Sequence, residues 1–300
     1  MEATPGKFNY TIEKTDLTDP QIDLAIRQLI KAAFKEDTLQ APYHVLNNID
    51  SKASRPSFML VAKEAGEIIG CNAFIANDFR FNERSYAGYQ SCWTATHPDH
   101  QGKKVFVNII NEAKRLLKEE GAGFLYGLPN DNSYPIFVKK LGFAEIDTMH
   151  ARVLNLPFFR GANLQPYSEQ LPADSLVIDE EQLYTHKKRQ KGESVLRADV
   201  GKGFIWGKIE KRKKYGIGFN VFIVGGISYE KPEQVKDLFK AVFKKYKASF
   251  AELISCKTNT MNQHIKEWKK AVSLNPFIYF NLNMPEQIRQ NFMFGSIDVF

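Results

Sequence analysis

Cysteine is scarce in this 300-residue chain: Cys71, Cys92 and Cys256 are odd in number and widely scattered. They match neither a disulfide framework nor a zinc-ligand spacing, so all three read as small buried hydrophobes in a reducing compartment. No apolar run approaches the roughly 20 residues needed to span a bilayer. The N-terminal MEATPGKFNYTIEK lacks the basic n-region and apolar h-region of a secretory signal. These absences point to a soluble, cytoplasmic protein. His97 and His100, three residues apart and without further ligands beside them, make a poor metal pair, and no metal site is expected.

What is present is an ordinary globular composition, 43% hydrophobic, 13% aromatic and 25% charged, in a chain long enough for two domains. Charge is uneven. Residues 1–150 hold 17 Lys and Arg against 19 Asp and Glu, while residues 151–300 hold 24 against 15, so the net +7 arises in the second half. Two clusters carry much of it, Lys187-Lys188-Arg189-Gln190-Lys191 and Lys211-Arg212-Lys213-Lys214. An anionic partner near that half is one reading and a pair of solvated loops is the other. Neither cluster is interleaved with stacking aromatics, which argues against nucleic acid.

Hydrophobic periodicity orders the first half as β-α-β-β-β-α-β-α-β. Asp19-Pro20 opens a helix with Ile22, Ile26, Leu29, Ile30 and Ala33 on one face. Phe58 to Ala62 and Ile68 to Ile75 read as a hairpin, and Tyr86 to Thr96 as a further strand. A strong amphipathic helix begins near Val105, followed by a strand at Phe124 to Leu128, a helix at Pro135 to Leu141, and one or two strands over Phe143 to Leu156. Residues 157–174 contain Pro157, Gly161, Pro166 and Pro172 and show no period, so the chain divides there into domains over 1–156 and 175–300. Beyond it, strands at Gly218 to Tyr229, Phe250 to Ser255 and Phe277 to Leu282 alternate with helices at Glu233 to Tyr246 and Met261 to Ala271. That order repeats residues 86–156, so the second half reads as a structural relative of the first.

A strand running through a tight loop into a helix gathers free backbone N–H groups at the positive end of a helix dipole, where phosphate oxygens bind. Residues 94–106 have this layout, with Lys103 and Lys104 at its mouth. Thr94-Ala95-Thr96-His97-Pro98-Asp99-His100-Gln101-Gly102-Lys103-Lys104-Val105-Phe106 resembles the acetyl-coenzyme A loop of the GNAT superfamily of N-acetyltransferases. In that motif a proline precedes Arg or Gln, two residues, Gly, one residue, and Gly or Ala. Asn130-Asp131-Asn132-Ser133-Tyr134-Pro135-Ile136-Phe137-Val138-Lys139-Lys140-Leu141-Gly142-Phe143 is similar to the second signature of the superfamily, and the resemblance covers residues 8–156. Pro129-Asn130 with Ser133-Tyr134 also resembles a two-domain GNAT group linked to cell-surface polysaccharide synthesis. Looser matches at Val195 to Asp199, Trp206 and Gly295 to Phe300 point the same way.

The resemblance implies an α+β fold: a mixed, mostly antiparallel sheet flanked by helices, with a second GNAT-like domain and the acceptor in the cleft between them. It implies acetyl-CoA as acyl donor to a primary amine. Gln101, Gly102, Lys103, Lys104 and Val105 would hold the pyrophosphate, Thr94, Ala95 and Thr96 the pantetheine, and Asn130 and Ser133 the region beside the thiol. Tyr134 would serve as acid and the Phe300 carboxylate as base. The basic second half favours an anionic acceptor such as an amino sugar of a surface glycan. The departures are equally specific. Lys104 and Phe106 stand where small residues let the pyrophosphate approach, Val138 stands where many members carry a tyrosine, and no carboxylate occurs from Ser85 to Ala95. A non-catalytic binding module of the same fold, and a peptidyl transferase using aminoacyl-tRNA, therefore remain as alternatives.

Overall fold

A computed structural model describes residues 9–16, 19–35, 53–155, 176–231, 233–256, 275–285, 290–293 and 295. The expected connector over 157–174, the expected helix over 261–271 and the terminal Phe300 lie outside the described residues. The first half runs β1 (Thr11–Lys14), α1 (Pro20–Phe34), β2 (Phe58–Glu64), β3 (Glu67–Phe81), β4 (Arg84–Thr96), α2 (Val105–Glu119), β5 (Phe124–Gly127), α3 (Tyr134–Leu141), β6 (Ala144–Ile146) and β7 (Thr148–Leu154). Each follows from its local pattern. Asp19 caps α1 by accepting the Gln21 N–H at 2.8 Å, with Pro20 in the first turn. The turn between β2 and β3 holds Ala65 and Gly66 at φ +49° and +88°, the twist a two-residue hairpin requires.

The second half runs β8 (Val177–Ile178), α4 (Glu180–Lys191), β9 (Leu196–Val200), β10 (Gly203–Lys214), β11 (Ile217–Ser228), α5 (Glu233–Tyr246), β12 (Ala248–Cys256) and β13 (Phe277–Asn281). Among the described residues no helix is long and apolar enough to cross a membrane.

Two sheets result. The first has the order β1-β2-β3-β4-β5-β13-β6, with β8 attached to the far end of β3. Its pairings are antiparallel except that of β4 with β5. Side chains alternate between its faces: Met59 and Val61 meet Ile26, Leu29 and Ile30 of α1, while Leu60 and Ala62 meet Ile109, Ile110 and Leu117 of α2. The helices thus lie on opposite faces. The second sheet has the order β7-β12-β11-β10-β9, with β11 and β12 parallel around α5. It repeats the β4-α2-β5 unit, and the whole is the expected mixed, mostly antiparallel α+β architecture.

The boundary placed at 157–174 does not describe how the sheets divide. The chain passes from the first sheet to the second at Asp147, between β6 and β7, rejoins the first briefly at β8 on the end of β3, and after β9–β12 comes back to it at β13, which inserts between β5 and β6. Thr148 pins the crossing, since its hydroxyl donates to the Ile146 carbonyl at 2.8 Å and accepts the Phe277 N–H at 2.9 Å. The physical reason is that strand pairing is non-local: a short β-rich run carries no label for its partner. The basic segment 187–191 also differs from a loop reading, because it forms the last turns of α4 with Lys187 buried.

An aromatic block ties the sheets together. Phe292 is fully buried, stacks on Tyr126 at 4.8 Å, and packs on Phe79, Phe124 and Phe277, while its backbone bonds Cys256 of β12. Phe292→Ala is expected to cost about 3–5 kcal/mol, the range for removing a fully buried ring, in denaturant unfolding monitored by circular dichroism.

Candidate functional site

The loop into α2 is shaped by backbone requirements. At Gly70 of β3 a Cβ would lie 2.5 Å from Val105 Cγ1, so its absence lets the first turn of α2 rest directly on the sheet. His97 begins the loop by donating its N–H to Ile69 O at 2.9 Å, and Pro98–His100 form one 3-10 turn. Gly102 at φ +79° and Lys104 at φ +61° then steer the chain into the helix. No side chain caps α2 and its first turn has no acidic residue. Its N-terminal amides and the positive end of its dipole therefore face the loop without a neutralising group of the chain's own.

Beside this loop the sheet opens. β4 and β5 pair only where Gly88, Tyr89 and Gln90 meet Phe124, Leu125 and Tyr126. Past that point β4 stays with β3 and β5 stays with β13. β4 also bulges: Ala95 opposes Cys71 while Cys92 opposes Ala73, with Trp93 between them at φ +51°. Asn72, fully buried, faces the bulge, and its Oδ1 accepts from Ser91 Oγ at 3.1 Å and from Thr94 Oγ1. A buried amide that satisfies two hydroxyls holds the irregular strand in one shape.

The wedge contains a cavity of about 1390 Å³. One end is formed by Lys104, Val105 and Phe106 at the start of α2, the other by Ile30, Ala33 and Phe34 of α1. Because these helices cover opposite faces, the cavity passes through the sheet. Lys104 and Lys140 line it and, among the described residues, no carboxylate does. Its electrostatics suit an anionic ligand.

Of the expected site residues, Thr94, Ala95, Thr96, Gln101, Gly102, Lys104, Val105, Asn130 and Ser133 all line this cavity. Several have specific local duties. Asn130 Oδ1 accepts from the Asn132 and Ser133 amides at 3.1 and 2.9 Å and from Ser133 Oγ at 3.0 Å, folding the turn that opens α3. Lys103 does not join them: it is exposed outside the lining, and its carbonyl accepts the Tyr10 hydroxyl at 3.5 Å. Nor does Tyr134, whose pKa is raised chiefly by the neighbouring Glu145 carboxylate. Val138 packs on the core beneath α3. Phe300 lies outside the described residues.

The expected obstruction at Lys104 and Phe106 does not close the cavity. Lys104 adopts the left-handed backbone itself, and the Phe106 ring stands edge-on to Phe137 at 5.2 Å, folded onto α3. Asn72 and the α1 wall went unread. A lone amide in the apolar run Ile68 to Ile75 was the available signal for the first; the second arises only from packing.

Residues 16–146 match the family described as an acetyltransferase (GNAT) domain. Similar solved structures span nearly the whole chain. A probable N-acyltransferase of Enterococcus faecalis shares 11% identity over 92% of this chain and 73% of its own, with TM-score 0.59. A GCN5-related N-acetyltransferase of Anabaena variabilis shares 11% over 91% and 73%, with TM-score 0.60. A putative acetyltransferase of Pyrococcus horikoshii shares 10% over 98% and 97%, with TM-score 0.54. At these identities the likeness is one of fold. No curated protein sequence matches the chain.

Asn72→Ala leaves two hydroxyls without their shared acceptor and is expected to cost about 1–3 kcal/mol in denaturant unfolding. The thiols give a second check. Burial pushes Cys71 and Cys256 up to about 12, whereas Cys92 is half-buried and lines the cavity. Maleimide applied to the native protein is expected to label Cys92, with the other two labelled only after denaturation, as read by peptide mass spectrometry.

Proposed function

From an acetyltransferase (GNAT) domain whose strands part around this cavity, we propose that the protein transfers an acetyl or other short acyl group from coenzyme A to a primary amine. The observation that carries the reading is the continuity of the cavity, from the uncapped N-terminus of α2 through the sheet to the end of α1. An extended ligand with an anionic end fits this shape. Gln101, Gly102 and Lys104 with the first amides of α2 would hold the pyrophosphate, and the bulged β4 segment around Thr94, Ala95 and Thr96 would run along the pantetheine. Bound acyl-coenzyme A supplies a thioester: an amine attacks its acyl carbon, the C–S bond breaks, and the coenzyme A thiolate leaves and takes a proton from water. The chain contributes position, and a backbone N–H of β4 contributes polarisation of the carbonyl, the two effects that dominate acyl transfer. With no carboxylate among the described lining residues, the proton of the amine passes to water or to an imidazole such as His100.

The acceptor enters from the α1 side, where Phe34 remains half exposed beside the cavity. Lys140 and the basic second half support an anionic acceptor, in this reading an amino sugar of a surface glycan, met in the cytoplasm in the cleft toward a GNAT-like unit built on the second sheet. A second reading, binding without catalysis, is favoured by the Glu145 carboxylate, which raises the pKa of Tyr134, and by Phe106 at a position otherwise small.

Calorimetric titration of acetyl-CoA into the protein is expected to give a micromolar Kd, about −8 kcal/mol. Combining Gln101→Ala with Lys104→Glu is expected to weaken it by about tenfold or more, whereas Lys103→Ala leaves it nearly unchanged. Acetyl-CoA is also expected to slow labelling of Cys92. Absence of both heat and protection refutes the site; binding without turnover across an amine screen selects the non-catalytic reading.

A further inference from the structure

The second basic cluster found in the sequence has no part in the cavity. It lies on the β10–β11 hairpin, which outruns its neighbours: β9 pairs with β10 only over Gly203–Gly207, and β12 with β11 only over Asn220–Ile223. Beyond the last contacts with β12, Arg212 to Glu252 and Phe219 to Phe250, Lys213 to Gly218 project as a two-stranded ribbon, a structure that gains little stability on its own. At its tip Tyr215 and Gly216 take φ +51° and +81°, a tight hairpin turn in which Asn or Gly is the favoured first residue. A tyrosine there is strained, and it is 91% exposed, with Ile217 beside it 71% exposed. Among the described residues, the contact given for either is the Lys214 ammonium, 5.3 Å from the Tyr215 ring.

Around these two apolar groups the charge has one sign. Lys211, Lys213 and Lys214 are exposed, and no ion pair engages them among the described residues, whereas Arg212 is held by Glu210 and Glu252. No acidic residue occurs in the sequence between Glu210 and Glu230. We propose that the β10–β11 hairpin docks the protein reversibly on an anionic lipid bilayer, Tyr215 and Ile217 entering the interface while Lys211, Lys213 and Lys214 meet lipid phosphates. The isoleucine selects lipid over nucleic acid. Phosphate contacts and base stacking reward lysine and tyrosine, but only a hydrocarbon boundary rewards an exposed aliphatic side chain.

The test is co-sedimentation of the full chain with phosphatidylcholine vesicles, with and without an equal part of phosphatidylglycerol, at low and high salt. The tip variant Tyr215→Asn with Ile217→Thr keeps the turn, since Asn suits the left-handed position, and a thermal melt no lower than that of the parent verifies its fold. Expected is binding to the anionic vesicles only, weakened by salt, and reduced about tenfold or more both in the tip variant and in Lys213→Ser with Lys214→Ser. Three results overturn the proposal: no sedimentation with anionic vesicles, equal binding to neutral ones, or binding that the lysine variant loses and the tip variant keeps. The last would assign the hairpin to a phosphate-rich partner such as RNA.

Discussion

The parallel pairing of β4 with β5 stops after three residue pairs, and the function proposed for this chain depends on that interruption. Parallel strands normally continue until one ends. Here each is held by a different neighbour, β4 by β3 through a bulge and β5 by β13, so the gap between them is stabilised from both sides. The bulge needs a residue in the left-handed region, Trp93, and a buried acceptor, Asn72, to fix the hydroxyls that flank it. Remove either support and the simplest alternative for both strands is to zip together, with loss of the space.

That constraint explains why the second half cannot be regarded as an appendage. β13 is distant in sequence, yet it covers the outer edge of β5 and contributes Ile278 to the cavity wall. The segment ending in Phe292 seals the aromatic block beneath the same strands, and Thr148 anchors β13 at the point where the chain crosses between sheets. A folded first sheet therefore requires residues from both halves. The contacts that close it are long in sequence separation, which places completion of the cavity late in folding.

How much of this was legible depended on whether the signal was local. The periods of 2 and 3.6 placed β2, β4, α2, α3, α5 and β12 to within a few residues, because each buries one face over a long enough run, whereas β3 continues six residues past its expected end at Ile75. Helix α4 was not legible. Its sequence EEQLYTHKKRQK presents Leu183 and Tyr184 but no repeating apolar face, and it is defined by the Asp179 cap and the Gly192 turn at its ends. The sheet membership of β7 and β13 was invisible for a different reason, since pairing partners are chosen by the assembled surface. The loop residues and Asn130 that the motif singles out line the cavity, Lys103 apart. Lys103 and Tyr134 lie outside the cavity lining, since the direction of a side chain within a loop or first helical turn is set by surroundings that the motif does not contain.

Lys104 and Phe106 show why a motif can lose its small residues and keep its geometry. What an N-terminal helix site offers to phosphate is backbone: amides and a dipole, whose strength is independent of the side chains that follow. Small residues there prevent obstruction, and obstruction is avoided equally well if a large side chain has somewhere else to go. Phe137 provides that place for Phe106, and the left-handed backbone of Lys104 achieves without glycine the turn into α2. The cost is a strained lysine conformation, about 1 kcal/mol, against a gain of positive charge beside the amides. The altered loop and the open cavity are therefore physically compatible.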